Sequence, residues 1–294
     1  MSLILAVLTV MNGVLSNMFF AERNHYDVSR DLSIYFANAD DVIDAVRQCL
    51  KRSDRRIMIE FYAESDSMED IDDIAGEIME FACAETENSD EGDYLRFRYG
   101  GYDIYYSHIP KKDKFYYTIE IAPRYYTTHE QEEKVSAEIE RIISSFNFDK
   151  NTTDYEKFIR IYNYIYDTVS YDKVHKNNVN NHIKTTAYSA LFYHTAVCQG
   201  YSSLMYRMLK ECGINTRVVT GKAVYDNGEE YHSWNIVCLD GLYYNVDITW
   251  DKQSNSKDYF LKSEDDFANH KRDKEFTEQE FTQRYPMSEK SYVF

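Results

Sequence analysis

Three residues able to serve as nucleophile, base and orienter follow one another along the chain: Cys198 in AVCQGY, His232 in YHSWNIV and Asp247 in YYNVDITW. A thiol becomes a strong nucleophile when an imidazole takes its proton, and a carboxylate on the far ring nitrogen keeps that imidazole oriented. Such a set would attack an amide carbonyl, release the amine protonated by the histidine, and leave a thioester acyl-enzyme. Cys198 is one of five cysteines. The other four, Cys49, Cys83, Cys212 and Cys238, read as packing residues, since free cysteine is among the most often buried residue types.

The elements that must carry these residues can be worked out locally. Asp240-Gly241 lies between two alternating apolar runs and predicts a two-residue hairpin turn. Pairing Leu239 with Leu242 then puts Cys238 opposite Tyr243, Val237 opposite Tyr244 and Trp234 opposite Asp247. His232, two residues further along, projects from the same face and lies diagonal to Asp247, about 7–8 Å away along the sheet. A register slip of one residue would turn one partner to the other face. Tyr201, Leu204, Met205, Met208 and Leu209 recur at helical spacing and stop at Cys212-Gly213, so Cys198 sits at a helix N-terminus. There the free amides and the macrodipole favour a thiolate, and the same amides can receive an oxyanion.

The stretch from about Thr153 to Lys274 resembles the transglutaminase-like superfamily, the papain-type cysteine protease and transglutaminase core. The likeness is carried by YDTVSYD at 166–172, TTAYSALF at 185–192, VCQGYSSLMYRMLKECGI at 197–214, HSWNIV at 232–237 and YYNVDITWD at 243–251, with DYFLKSEDDFANH at 258–270 continuing it. The resemblance implies Cys198 as nucleophile, His232 as general base and acid, and Asp247 as its orienter. It implies an α+β fold in which a helix carrying the cysteine packs on an antiparallel sheet carrying the histidine and aspartate. Peptide or amide hydrolysis is the first expectation; amine transfer to glutamine and a noncatalytic binding or assembly module are the alternatives. Ala196 stands two before the cysteine, where bacterial relatives often have glycine. No CxxC pair occurs, so the zinc-bearing deglycosylating relatives match poorly, and neither a metal nor another cofactor is expected.

Around the trio, Tyr188 and Gln199 are candidates to assist an oxyanion, although the backbone N–H of Cys198 is the better choice. Trp234 and Trp250 are pocket candidates, with at least one expected in the core. Asp251 is a rival orienter, expected at the start of a loop. His175, His182 and His194 have no ligand spacing and read as loop residues, and Asn177–Asn181 as a turn-rich loop.

The chain has 294 residues, 44% of them hydrophobic, and a net charge of −17. Two domains are expected, 1–150 and 151–294, with the boundary near Asn147–Thr152 because Thr153 and Glu156 form a capping box. The negative charge argues against nucleic-acid binding, and a protein or peptide is the expected substrate. Nearly all of the excess lies in residues 1–150, which read as an acidic, solvated α+β domain. Its expected order is a strand at DLSIYF, a helix opened by Asn38, a strand at 56–62 and a helix near 68–83 with Ile71, Ile74, Ile78 and Phe81 aligned. A hairpin of 93–109 with 114–122 follows, then a helix over 128–146. The uncharged run Ser2–Ala21 is long enough for a membrane span or secretory core but lacks a basic flank and a cleavage site. Secretion or anchoring through residues 2–21 is preferred to a cytoplasmic location, with a buried element of the first domain as the other reading.

Overall fold

A computed structural model describes residues 16–18, 36, 38–64 and 71–293. The chain divides into two compact units: Met1–Cys83 with Tyr99–Tyr125, and Ala84–Arg98 with Tyr126–Phe294. Where one crossing near residue 150 was expected, the chain passes between units after Cys83, Arg98 and Tyr125. The reason is visible in the cores. Tyr94 from the 84–98 segment and Val135, Ile139 and Ile142 from the helix over 129–145 join the same apolar cluster as the Cys198 helix. An apolar stripe specifies which face is buried but not against which partner.

The first unit holds β1 (Ser16–Met18), α1 (Ala39–Lys51), β2 (Ile57–Ala63) and α2 (Ile71–Ala82). Its sheet is completed by β3 (Tyr99–Lys111) and β4 (Lys114–Tyr125) in the order β1-β3-β4-β2. Period-two alternation buries Ile57, Ile59 and Phe61 and pairs them with Ile121, Ile119 and Tyr117. In α2 the stripe is Ile71, Ile74, Ala75, Ile78, Met79 and Ala82; Phe81 is exposed, because the buried face rotates toward the alanines. DYLR, expected as strand, is a helical turn, α3 (Asp93–Arg96), and belongs to the second unit. Ser2–Ala21, apart from β1, and DLSIYF, apart from Phe36, lie outside the described residues. Among the described residues no helix is long and apolar enough to cross a membrane.

In the second unit α4 (His129–Ser145) and α5 (Asp154–Thr168) each open with a full capping box, Thr128 with Gln131 and Thr153 with Glu156. A short parallel pair, β5 (Ser170–Tyr171) and β6 (Thr195–Ala196), precedes α6 (Cys198–Glu211). Next come β7 (Thr216–Tyr225), β8 (Gly228–Leu239), β9 (Leu242–Val246), α7 (Ile248–Ser254), β10 (His270–Arg272) and α8 (Gln279–Arg284). The antiparallel sheet runs β10-β7-β8-β9. Asp240 and Gly241 both have positive φ, at 55° and 83°, as a type I′ turn requires. Leu239 pairs with Leu242 and the register continues to Asn235 with Val246.

Segment 84–98 is fastened to α6 and β7 by a buried charge network. Asp93 accepts two hydrogen bonds from Arg217, at 2.7 and 2.9 Å, and one from Val218 N. Glu85 accepts from Asp93 N and the Tyr206 hydroxyl. Burial, with the charge of Asp93 added, pushes the Glu85 carboxyl up to about 7 despite Arg217. A carboxyl raised on folding stabilises the fold in its protonated form, fully below its unfolded value and progressively less as pH rises through about 7. Up to about 3 kcal/mol should therefore be lost between pH 4.5 and 8. Urea midpoints for Glu85→Gln are expected to be flatter than wild type across that window, and an unchanged slope would refute this reading.

Candidate active site

The site is assembled from α6, β8, β10 and the N-cap of α7. Cys198 is the first residue of α6, after the extended Val197, and Gly213 closes the helix with φ 77°. Tyr201, Leu204, Met205, Met208 and Leu209 are all buried, so the predicted apolar stripe docks the helix. Polar ties fix α6 against β8. The Ser202 and Ser233 hydroxyls lie 3.2 Å apart, and Asn235 Nδ2 donates to the Ser202 carbonyl at 3.1 Å. Gly200 is required at this junction, since a Cβ there would come within 2.7 Å of the Ala196 Cβ.

His232 Nε2 and Asp247 Oδ2 are 2.7 Å apart and both side chains are buried. The hairpin count thus brings the expected pair together. Asp247 also caps α7, its Oδ1 accepting from Thr249 N at 2.9 Å and Trp250 N at 3.1 Å. The capping role and the pairing role use different oxygens of one carboxylate. Asp251 is in α7 rather than at a loop start. It accepts from the Tyr162 hydroxyl at 2.6 Å and from Tyr259 N at 2.8 Å, a structural position apart from His232.

The electrostatics couple Cys198 to the pair. Burial works against a thiolate, but the charge of His232, then hydrogen bonds from His232 and Ser233, bring the Cys198 pKa below its ordinary value. For His232 burial acts downward too, yet Asp247 and Cys198 outweigh it and raise the imidazole to about 10. Asp247 is buried as well, and His232 with His270 holds it far below the usual carboxylate range. The two shifts run in the same direction, toward a thiolate on Cys198 and a proton on His232.

The other sequence candidates separate. Trp234 is 1% exposed, and its Nε1 donates to Asn245 Oδ1 at 3.1 Å; it packs in the core with Phe267. Trp250 is only partly buried and lies against His232 at 5.6 Å and Tyr225 at 5.4 Å between ring centroids. The Gln199 amide turns to the Phe97 carbonyl at 3.3 Å, and the Tyr188 ring packs with Phe192 and Tyr193, so both are directed elsewhere. Tyr171, of the YDTVSYD stretch, has its phenol pushed up by burial and then by the charge of Cys198. His175 is held by Asp172, and His182 stacks on Tyr126.

Two features were illegible in sequence. Lys184 is buried and donates to the carbonyls of His175, Lys176 and Asn178, organising the asparagine-rich loop around one ammonium. Lys176 in that loop pairs with Glu230 of β8 at 2.7 Å. The second feature is His270, whose Nε2 lies 3.0 Å from the same Asp247 oxygen that meets His232. It ends the DYFLKSEDDFANH segment, but a loop separates it from α7, and no period or turn predicts its register. His232, Asp247 and His270 offer donor atoms within 4.8 Å of one another, the spacing of a cation site. Both imidazoles hydrogen-bond Asp247 Oδ2.

Gly221 lets β10 approach. It faces His232 on one side and Arg272 on the other, and a Cβ at Gly221 would lie 2.1 Å from the Lys271 carbonyl. Backbone cannot yield as a flexible side chain does, so Gly221→Ala should push β10 outward and cost about 1–3 kcal/mol. Thermal unfolding compared with wild type checks this; equal melting temperatures would contradict the close approach.

Residues 144–248 match the family model of the transglutaminase-like superfamily. Among solved structures, similarity is found to a TGase, with 15% identity, a TM-score of 0.35, and 66% of this chain and 51% of that one covered. It is also found to a Cytophaga hutchinsonii protein provisionally assigned as a cysteine protease, with 14% identity, a TM-score of 0.31, and coverage of 49% and 61%. The chain thus spans between about half and three fifths of the length of these structures. No curated protein matches it.

Proposed function

We propose, from the transglutaminase-like core that residues 144–248 carry, that this chain is a cysteine-dependent acyl-transfer enzyme hydrolysing peptide or amide bonds. The observation that supports the reading best is the buried 2.7 Å contact of His232 with Asp247 beside a Cys198 whose pKa is lowered. In the mechanism that follows, the Cys198 thiolate attacks the amide carbonyl carbon, and the oxyanion meets the backbone N–H of Cys198 at the helix N-terminus. His232, charged through Asp247, gives its proton to the leaving amine as the C–N bond breaks. A water, deprotonated by the now neutral His232, then adds to the thioester carbonyl; the C–S bond breaks, releasing the acid and restoring the Cys198 thiolate beside the protonated His232. Trp250 and Tyr171 wall the site in this reading.

The pair should exist from the lowered thiol value of Cys198 up to about pH 10, where His232 loses its proton. Alkylation of Cys198 by iodoacetamide should accordingly persist well below the free-thiol pKa of about 8.5. A Cys198 that labels only above that value would point to a noncatalytic module that keeps the fold. Incubating glutamine-containing peptides with and without a primary amine, followed by mass spectrometry, separates the reactions. Cleavage or deamidation marks hydrolysis, and amine adducts mark transfer.

A further inference from the structure

We propose that His270 is a positioning residue for this chemistry, holding the Asp247 carboxylate in the plane and rotation that His232 requires. The inference rests on the acyl-transfer reading of Cys198, His232 and Asp247.

Asp247 Oδ1 is occupied by two backbone amides of α7, and Oδ2 receives His232 Nε2 at 2.7 Å and His270 Nε2 at 3.0 Å. Four donors thus converge on one buried anion. The amides define where Oδ1 sits, but rotation about the bond to the carboxyl carbon is stopped only when Oδ2 is held as well. A single imidazole that must also serve Cys198 is a poor anchor, because it changes charge during the reaction. A second donor that keeps its charge state is a better one.

His270 is built to be that donor. Its ring is packed against Phe267 at 3.9 Å, Trp250 at 4.5 Å, Trp234 at 5.0 Å and Tyr259 at 5.4 Å between centroids. Its side chain is 1% exposed. Its Nδ1 is buried with no hydrogen-bond partner among the described residues. A proton on Nδ1 would leave a buried, unpaired N–H and a second cation beside His232, so the neutral form with hydrogen on Nε2 is the one these surroundings accept. The charged or titratable groups facing the ring are Asp247, His232, Glu264 and Tyr259. Against them burial dominates and holds the imidazole below its ordinary value. A histidine serving only to fill a core would satisfy both nitrogens. Here one is left bare so that the other can reach Asp247, from an edge strand brought in close by Gly221.

The test uses two variants of the full chain. His270→Phe keeps a ring among the aromatic neighbours and removes the donor; His270→Gln places an amide N–H where Nε2 was. For each, the rate of iodoacetamide labelling of Cys198 is followed from pH 5 to 9 by mass spectrometry, beside a thermal melt. His270→Phe is expected to label about fivefold or more slowly at pH 6, with its profile displaced toward the free-thiol value. Its melting temperature should stay near wild type. His270→Gln should restore the rate to within about twofold. A His270→Phe profile that overlays wild type overturns the proposal, as does a glutamine variant no better than phenylalanine. If His270→Phe fails to fold, the His270→Gln profile decides alone: retention supports the positioning role and loss refutes it. A wild type unreactive below the free-thiol value removes the acyl-transfer reading itself, and with it this inference, which sets that failure apart from the failure of His270 alone.

Discussion

His232→Gln is expected to silence Cys198 while leaving the fold in place. Glutamine can still donate to Asp247 from nearly the position of Nε2, so the buried carboxylate keeps a partner and the protein should melt close to wild type. What disappears is the cation beside the sulfur. The largest influence on Cys198 is burial, which raises its pKa, and His232 is the main group that reverses it. Without that group the thiol should titrate above its ordinary value. Each unit of displacement is a tenfold loss of thiolate at neutral pH, so labelling at pH 6 should fall at least about tenfold. Turnover should fall by about 10⁴ or more, since the variant loses both the base that makes the nucleophile and the acid that expels the amine. The measurement is the pH profile of Cys198 alkylation together with peptide turnover. Labelling at pH 6 equal to wild type would falsify the thiolate–imidazolium pair.

Substitutions at Asp247 should separate its two duties. In Asp247→Asn one oxygen can still accept from Thr249 N and Trp250 N, so the α7 cap survives while the charge on His232 is lost. Turnover should drop by about 10⁴ through a wrongly oriented or uncharged imidazole. Asp247→Ala removes the cap as well and strands His232 and His270 without an acceptor. The loss of a buried pair costs about 3–5 kcal/mol and the lost cap about 1 more. Denaturant unfolding should therefore rank alanine well below asparagine, though turnover should be lost in both. Acid should act on wild type in the same direction. The carboxyl of Asp247 is depressed on folding, so its contribution is present above the unfolded value near 3.9 and is lost as pH falls below it. In Asp247→Asn that part of the acid sensitivity should be gone. If asparagine and alanine destabilise equally, or if asparagine remains active, the division of labour between the two oxygens is wrong.

Local rules reach only as far as the residues that act on one another within a few positions. The register from Asp240-Gly241, the stripe from Tyr201 to Leu209 and the capping box at Thr153 each depend on residues close together in sequence, and each is found where the local pattern puts it. Phe81, DYLR and the domain boundary depart because their surroundings are supplied from far along the chain. Phe81 lies at helical spacing from Ile74 and Ile78, yet Ala75, Met79 and Ala82 carry the buried face. DYLR alternates like a strand but is pulled into a helical turn where Asp93 can meet Arg217, 124 residues away. The two tryptophans look alike on paper; one finds Asn245 inside the core and the other finds the edge of the site.

By itself the sequence determined the order of Cys198, His232 and Asp247 along the chain, the helix that delivers Cys198 and the hairpin that faces His232 toward Asp247. These follow from periodicity and turn chemistry, which act over a few residues. Tertiary structure alone decided that Asp247 divides its two oxygens between a helix cap and a pair of histidines, that His270 is the second of them, and that Lys184 gathers the loop beside the site. Those choices depend on which strand edges meet and on which buried polar groups are left needing partners, quantities that exist only once distant segments are packed together.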